Sequence, residues 1–523
     1  MSSRDLLFEL RCEELPPRTL QALSSALTEG LAKAIDSKGI AHGKIHGFAT
    51  PRRLAVTVEK LAEHQPDRPL ERRGPPVKNA FDANGAPTQA AIAFAKTCGV
   101  EVAALTQLTT DKGAWLQFRG TERGAATPTL LPAMINQVVA ELPIAKRMRW
   151  GTRTAEFVRP VHGVVLLFGD EVVPAEVLGL SSGCITSGHR FLAPKDITLK
   201  SAKGYAARLL RAKVIADFAA RRQLIREEVT LAAAATADGA SALIEDDLLD
   251  EVTALVEWPV AIAGQFDTRF LELPREVVIA TVQDHQRYFA VQGADQKLSG
   301  WFITVSNIES RDPAKVREGN ERVVRPRLSD AAFFWEQDRK HTLSEYAARL
   351  AGMTFQNRLG SYADKARRVA ALAGILGERL GAPDAERAAA LAKADLLTAM
   401  VGEFPELQGT MGRYYAEAEG LPQAIALAIE EHYRPRFAGD NIPASKTGQA
   451  VALADKLDTL TGIFAIEQRP TGAKDPFGLR RIALGVLRIL LEAELDLDLL
   501  ALLDAAAAAQ PVQRTGVVDE VYD

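Results

Sequence analysis

The periodicity of this chain changes once, near Ser329, and that change limits the available folds more than any other feature. Before it, short strand-like runs are interleaved with helical ones. Residues 6–11 and 53–58 read as strands, whereas 16–38, entered through Pro16-Pro17, has the apolar spacing of a helix. Residues 163–168 and 171–177 flank Gly169-Asp170 as the arms of a β-hairpin. The stretch 67–87, with Arg72-Arg73-Gly74-Pro75-Pro76, reads as exposed turns. Residues 205–235 read as one or two helices, and β-type runs return between 260 and 305. Beyond Ser329 helices are expected over 331–350, 361–380, 384–400, 421–432, 447–464 and 476–491. In the last of these Asp475 suits a cap and Leu479, Ile482, Val486 and Ile489 share one face. The patterning predicts a multidomain α+β protein. An α/β region spans 1–330, an all-α region 331–495, and 496–523 reads as a linker or the start of a next domain.

At 523 residues the chain exceeds one hydrophobic core. Its net charge of −4 gives no global basic field, so any nucleic-acid surface must be local. Cys12, Cys98 and Cys184 are too dispersed for a zinc site or a disulfide framework and fit a reducing compartment. The first ten residues carry acids within their apolar run, unlike a secretory signal, and no apolar run approaches the ~20 residues of a membrane span. A cytoplasmic protein is expected.

Basic side chains cluster locally. MRWGTRTAEFVRPVHGVVLLFGD (148–170) and SGHRFLAP (187–194) set Arg149, Arg153, Arg159 and Arg190 among Trp150, Phe157, His162 and Phe191. Guanidinium groups pair with phosphate and stack on flat rings, so this mixture suits a surface that meets phosphates and bases. Residues 311–327 hold six basic and three acidic side chains and end in Arg325-Pro326-Arg327; EHYRPR (431–436) repeats the motif at Arg434 and Arg436. Proline stiffens the backbone and suits a fixed spacing between the arginines. The alternative for each arginine is an ion pair that locks a loop. QDHQRYF (283–289) is a polar, aromatic, strand-like run, suited to a small-molecule pocket or to an interdomain seam.

Long ordered motifs carry a resemblance. They include LLFELRCEELPPRTL (6–20), GFATPRRLAV (47–56), TVQDHQRYFAV (281–291), SNIESRDPAKVREGNERVVRPRLSDAAFFWEQDRK (306–340), VGEFPELQGTMGRYYA (401–416) and QRPTGAKDPFGLRRIALGVLRIL (468–490). Together they resemble the beta subunit of the bacterial two-subunit glycine–tRNA ligase, nearly end to end. The resemblance implies a module similar to the B3/B4 domain of phenylalanine–tRNA ligase in the first region and a degenerate HD-like domain in the second. It also implies a further helical, anticodon-binding-type domain, before which this chain ends. It places glycine activation, with ATP and Mg2+, on a separate alpha subunit, so no cofactor is expected on this chain. The implied assembly is an α2β2 tetramer with glycine tRNA as partner, without DNA or membrane. Arg149, Arg153, Arg159, Arg190, Arg325, Arg327, Arg434 and Arg436 are the candidate RNA contacts, and no catalytic residue is expected.

The HD-like likeness also opens a phosphohydrolase reading. Lys365 falls where a histidine ligand would sit, Thr398-Ala399 at the His-Asp dyad, and only Asp455 matches a ligand type. A divalent ion needs several converging donors, and a lysine repels it. No metal is therefore expected. Glu403, Glu406 and His432 are possible replacement ligands, or else caps and hydrogen-bond partners around Phe404-Pro405. GDNIPASKT (439–447) superficially resembles a phosphate-binding loop, but Ser445 replaces a glycine and Pro443 removes an N–H donor, so an ordinary loop is expected. Editing of mischarged tRNA by the B3/B4-like module is a further reading, weakened because a site sized for glycine already excludes larger side chains.

Overall fold

Leu6, Phe8 and Leu10 leave one face of the strand Ser3–Cys12, and Leu7 and Glu9 leave the other, as the two-residue repeat of a strand requires. In the computed structural model, which describes residues 2–82, 85–111, 113–472 and 474–523, this strand lies inside a seven-stranded sheet. The order runs Glu176–Val177, Leu180–Gly183, Val161–Phe168, Ser3–Cys12, Arg53–Ala62, Ile45–Thr50, with Glu171–Val172 folded back on Val161–Phe168. Phe168 opposite Glu171 closes the expected hairpin around Gly169-Asp170. On the first face Leu20, Leu23, Leu27, Leu31 and Ile35 of the helix Pro17–Ser37 cover the sheet, beside Leu131 and Ile135 of Thr127–Ala140. Their three- and four-residue spacing forms the apolar stripe of a surface helix. On the second face Leu7, Phe48, Ala55, Val165 and Leu167 pack against Tyr205, Leu209 and Val214.

The chain separates into two compact units, Met1–Ala263 with Ile303–Val316, and Gly264–Phe302 with Arg317–Asp523. The expected boundary at 330 falls inside a helix. Pro313–Asp338 is continuous through Pro326, because Val324 and Leu328 are buried on its inner side. Within the first unit, the stretch expected as turns instead contributes the strand Arg68–Pro76 to a three-stranded sheet with Gly113–Glu122 and Thr106–Thr110. Arg73 lies 3.6 Å over the ring of Trp115, which holds this basic run against the sheet.

The second unit is mainly helical. Lys446–Ala465 is buried on every side, from Thr447 to Ala465, and neighbours Tyr362–Leu380, Gln423–Glu431 and Leu479–Glu492. Helices that are apolar all round belong in the interior. Residues 496–523, expected as a linker or the start of another domain, form Leu499–Ala508 and Val517–Tyr522 and pack on this same helix. Leu502, Leu503 and Ala506 are buried there, and the Gln510 amide donates to the carboxylate of Asp458 at 2.9 Å. Among the described residues no helix is long and apolar enough to cross a membrane.

Candidate functional site

The loop SGHRFLAP owes its shape to two residues. A side chain at Gly188 would lie 2.6 Å from the Ala193 carbonyl and 2.8 Å from the Ala212 methyl, so only glycine permits the close approach. His189 is buried, and its Nδ1 accepts from the N–H groups of Phe191 and Leu192 at 3.2 and 3.1 Å. With the loop tied inward at His189, Arg190 and Phe191 project outward, the phenyl ring 70% exposed.

Arg190 borders a cleft of about 330 Å³ together with Arg11, Arg52, Glu13 and His162. Its charges are only partly matched. Glu13 meets His162 Nε2 at 2.9 Å, and Asp196 meets Arg11 at 3.4 Å. Among the described residues Arg52 Nε, shielded from solvent, has no hydrogen-bond partner, and Arg190 makes no ion pair. Three guanidinium groups around one open cleft are suited to an anion with several oxygen acceptors, such as a phosphate diester.

The floor behind this cleft is a buried charge network. Arg53 is 1% exposed, and its guanidinium lies 3.5 Å from both Glu9 and Glu257. It donates to Thr186 Oγ1 at 3.3 Å and to the Ser187 carbonyl at 2.9 Å, which joins the network to the SGHRFLAP loop. Thr186 and Tyr205 donate to the two oxygens of Glu9. Burial works against the Arg53 charge, but Glu257 and Glu9 outweigh it and hold its pKa above the ordinary value. Burial, then Glu9, pushes the Tyr205 phenol well up, so it remains a donor. A buried pair with every donor matched adds little net stability but fixes geometry, and losing one member costs about 3–5 kcal/mol.

The candidate arginines differ in their partners within each unit. Arg149 pairs with Glu156 at 2.7 Å across the short ribbon Met148–Arg149 and Glu156–Phe157. Arg153 is exposed and without an ion pair among the described residues. Arg159 donates to the carbonyls of Glu14 and Val158, next to cleft-lining Glu13. In the second unit Arg325 and Arg327 are two residues apart on a helix and so leave it in different directions. Arg327 approaches Glu403 at 3.8 Å. Arg434 pairs with Glu430 at 2.9 Å, and the Arg436 guanidinium reaches the Gln408 carbonyl at 3.5 Å and lies 5.8 Å from the centre of the Tyr433 ring. The two Arg-Pro-Arg motifs share no backbone state, since one lies within a helix and the other in a loop. The fixed spacing expected from proline therefore does not carry over.

In the second unit the Asp455 carboxylate is taken up by two ammonium groups, Lys365 at 3.1 Å and Lys393 at 3.2 Å. Lys365 also meets Asp458 at 3.0 Å and Thr459 Oγ1 at 2.7 Å. Burial opposes these charges, but Lys365 and then Lys393 hold the Asp455 carboxyl far below the usual range. Thr398 caps Ala399–Glu403 by accepting from Val401, and the N–H of Ala399 donates to Asp338. Among the described residues no group of three or more His, Cys, Asp or Glu side chains is placed to hold a metal. Residues 439–445 form the loop into Lys446–Ala465, with Ser445 as the cap of that helix.

A family model described as glycyl-tRNA synthetase beta subunit matches residues 6–523. The chain belongs to that family. The glycine–tRNA ligase beta subunit of Chromohalobacter salexigens is 53% identical over 527 aligned positions, which cover 100% of this chain and 76% of that protein. That of Hahella chejuensis is 51% identical over 502, covering 95% and 72%. The Pseudomonas aeruginosa protein is 49% identical over 527, covering 100% and 76%. The sequence patterns do not single out Arg11, Arg52 or the Glu9–Arg53–Glu257 network. The usable signal is an acid at 9 inside an apolar strand pattern and the Arg52-Arg53 pair at the turn that opens the next strand.

Proposed function

We propose that this chain is the tRNA-binding subunit of a glycine–tRNA ligase and supports ATP-dependent attachment of glycine to its tRNA, with the chemistry on an alpha subunit. On this reading ATP and Mg2+ bind at the alpha subunit, the assembly is α2β2, and it works in the cytoplasm on glycine tRNA rather than on DNA or a membrane. The first unit serves as a B3/B4-like RNA platform and the helical unit as an HD-like scaffold without phosphohydrolase chemistry.

The observation that carries the reading is the arginine-lined cleft beside the outward-facing Arg190 and Phe191. Guanidinium groups neutralise backbone phosphates, and an exposed ring offers a face on which a base can stack. The fixed charge network behind the cleft keeps the SGHRFLAP loop in place for that contact. Glycine-dependent ATP–pyrophosphate exchange tests the division of labour. The purified chain alone is expected to give none above background and to bind glycine tRNA in a gel shift. Robust exchange by the chain alone would overturn the assignment of catalysis to the other subunit.

A further inference from the structure

The arginine cleft of the first unit contains a group that phosphate binding alone does not use. Among the described residues that line it, Glu13 is the single carboxylate, beside Arg11, Arg52 and Arg190. A carboxylate repels phosphate, so in a site suited to a polyanion it weakens binding unless the ligand brings it a donor. The backbone fixes its place. The strand Ser3–Cys12 ends directly before it, and the N–H of Cys12 donates to the Arg52 carbonyl at 2.9 Å. The N–H of Glu13 donates to the Pro160 carbonyl at 2.9 Å, and Arg159 Nε donates to the Glu14 carbonyl at 3.1 Å. Leu15, two residues on, is buried in the core.

The carboxylate itself is reachable from solvent. Its Oε1 accepts from His162 Nε2 at 2.9 Å, and the side chains of Glu13 and His162 are 39% and 44% exposed. Among the described residues it pairs with none of the three arginines, and Arg11 reaches Asp196 instead, at 3.4 Å. An ionised carboxylate only accepts and offers roughly four lone-pair positions, so His162 leaves room for a donor from a ligand. The sugar–phosphate backbone of DNA supplies acceptors alone. RNA adds one donor per nucleotide, the ribose 2′-hydroxyl, close to the next phosphate. Arginines with one exposed carboxylate among them therefore match a ribonucleotide backbone and mismatch a deoxyribonucleotide one.

We infer that Glu13 is the specificity-determining residue of this cleft: it accepts a hydrogen bond from a ribose 2′-hydroxyl while Arg190 takes an adjacent phosphate, and His162 holds the carboxylate in orientation. The inference rests on the RNA-binding reading above and assigns the choice of RNA over DNA to one side chain.

The test compares binding of glycine tRNA with binding of the same sequence carrying 2′-fluoro riboses, by the wild type, Glu13→Ala and, as control, Arg153→Gln. Fluorine keeps the RNA-like sugar pucker and removes the donor. The wild type is expected to prefer the hydroxyl form at least about tenfold, the scale of one hydrogen bond to a charged acceptor. Glu13→Ala is expected to reduce that preference about tenfold. It is also expected to bind the fluoro form about threefold more tightly than the wild type does, because a negative charge has left the phosphate site. A damaged fold does not produce that gain. Arg153→Gln is expected to weaken both forms alike and so to keep the wild-type ratio. Equal binding of the two forms by the wild type, or the wild-type ratio in Glu13→Ala, overturns the inference and leaves the RNA reading standing. A wild type that binds neither form overturns that reading, and the inference with it.

Discussion

Asp395 is fully buried, and its Oδ2 accepts from the N–H groups of Gly409 at 2.5 Å and Gly412 at 3.1 Å. Burial pushes its carboxyl up to about 6 in spite of those donors. Between about pH 4 and pH 6 the folded chain therefore holds a proton that the unfolded chain has released. The stability contributed by that proton is complete below pH 4 and is lost as pH rises through 6. Urea unfolding of the wild type and Asp395→Asn at pH 4 and pH 7 should show the wild type losing about 3 kcal/mol relative to the variant over that interval. An unchanged difference between the two proteins would show that the carboxyl titrates at its ordinary value. The sequence exposes little of this, because Asp395 reads as one more helix-surface acid in KADLLTAMV. The exposed position of Arg190 was legible, since it stands beside Gly188, His189 and Phe191 in a run unlike a generic surface. Arg53 was not, since the carboxylates that neutralise it come from Glu9 and Glu257, on segments remote in sequence.

Ser361 starts the helix Tyr362–Leu380 with a reciprocal capping box. Its hydroxyl accepts from Asp364 N at 3.2 Å, and the Asp364 carboxylate accepts from Ser361 N at 2.8 Å. Ser361→Ala removes one arm and should destabilise the helical unit by about 1 kcal/mol in chemical denaturation, with no change in RNA affinity. A loss below the error of the measurement would mean that the helix start is held by packing alone. This element was legible in full, because cap, periodicity and the closing Gly381 agree. The helix expected over 476–491 starts three residues later, at Leu479, because Gly478 adopts a left-handed conformation and Asp475 caps from across that turn. The strand-like run 283–289 is helical as far as His285, which stacks on Phe404 at 4.7 Å, and a strand begins only at Phe289. Val282 and Gln283, adjacent in sequence, are both buried, which a strand with alternating faces does not allow.

At the scale of the molecule the mixed α+β character and the switch to helices were legible, because periodicity is a local signal. The division into units was not, because each unit takes in a segment distant in sequence. On the proposed reading, unpaired arginines of the first unit neutralise RNA phosphates, while the paired ones serve the fold. Among the described residues Arg153 and Arg190 have no ion-pair partner, whereas Arg434 is held by Glu430. The most direct test is the salt dependence of glycine tRNA binding by the wild type, Arg153→Gln, Arg190→Gln and Arg434→Gln, with a melting curve for each. Arg153→Gln and Arg190→Gln are each expected to reduce the slope of log affinity against log salt by about 0.7 to 0.9 at unchanged melting temperature. Arg434→Gln is expected to keep the wild-type slope and to melt at a lower temperature. Wild-type slopes in both Arg153→Gln and Arg190→Gln would contradict the claim.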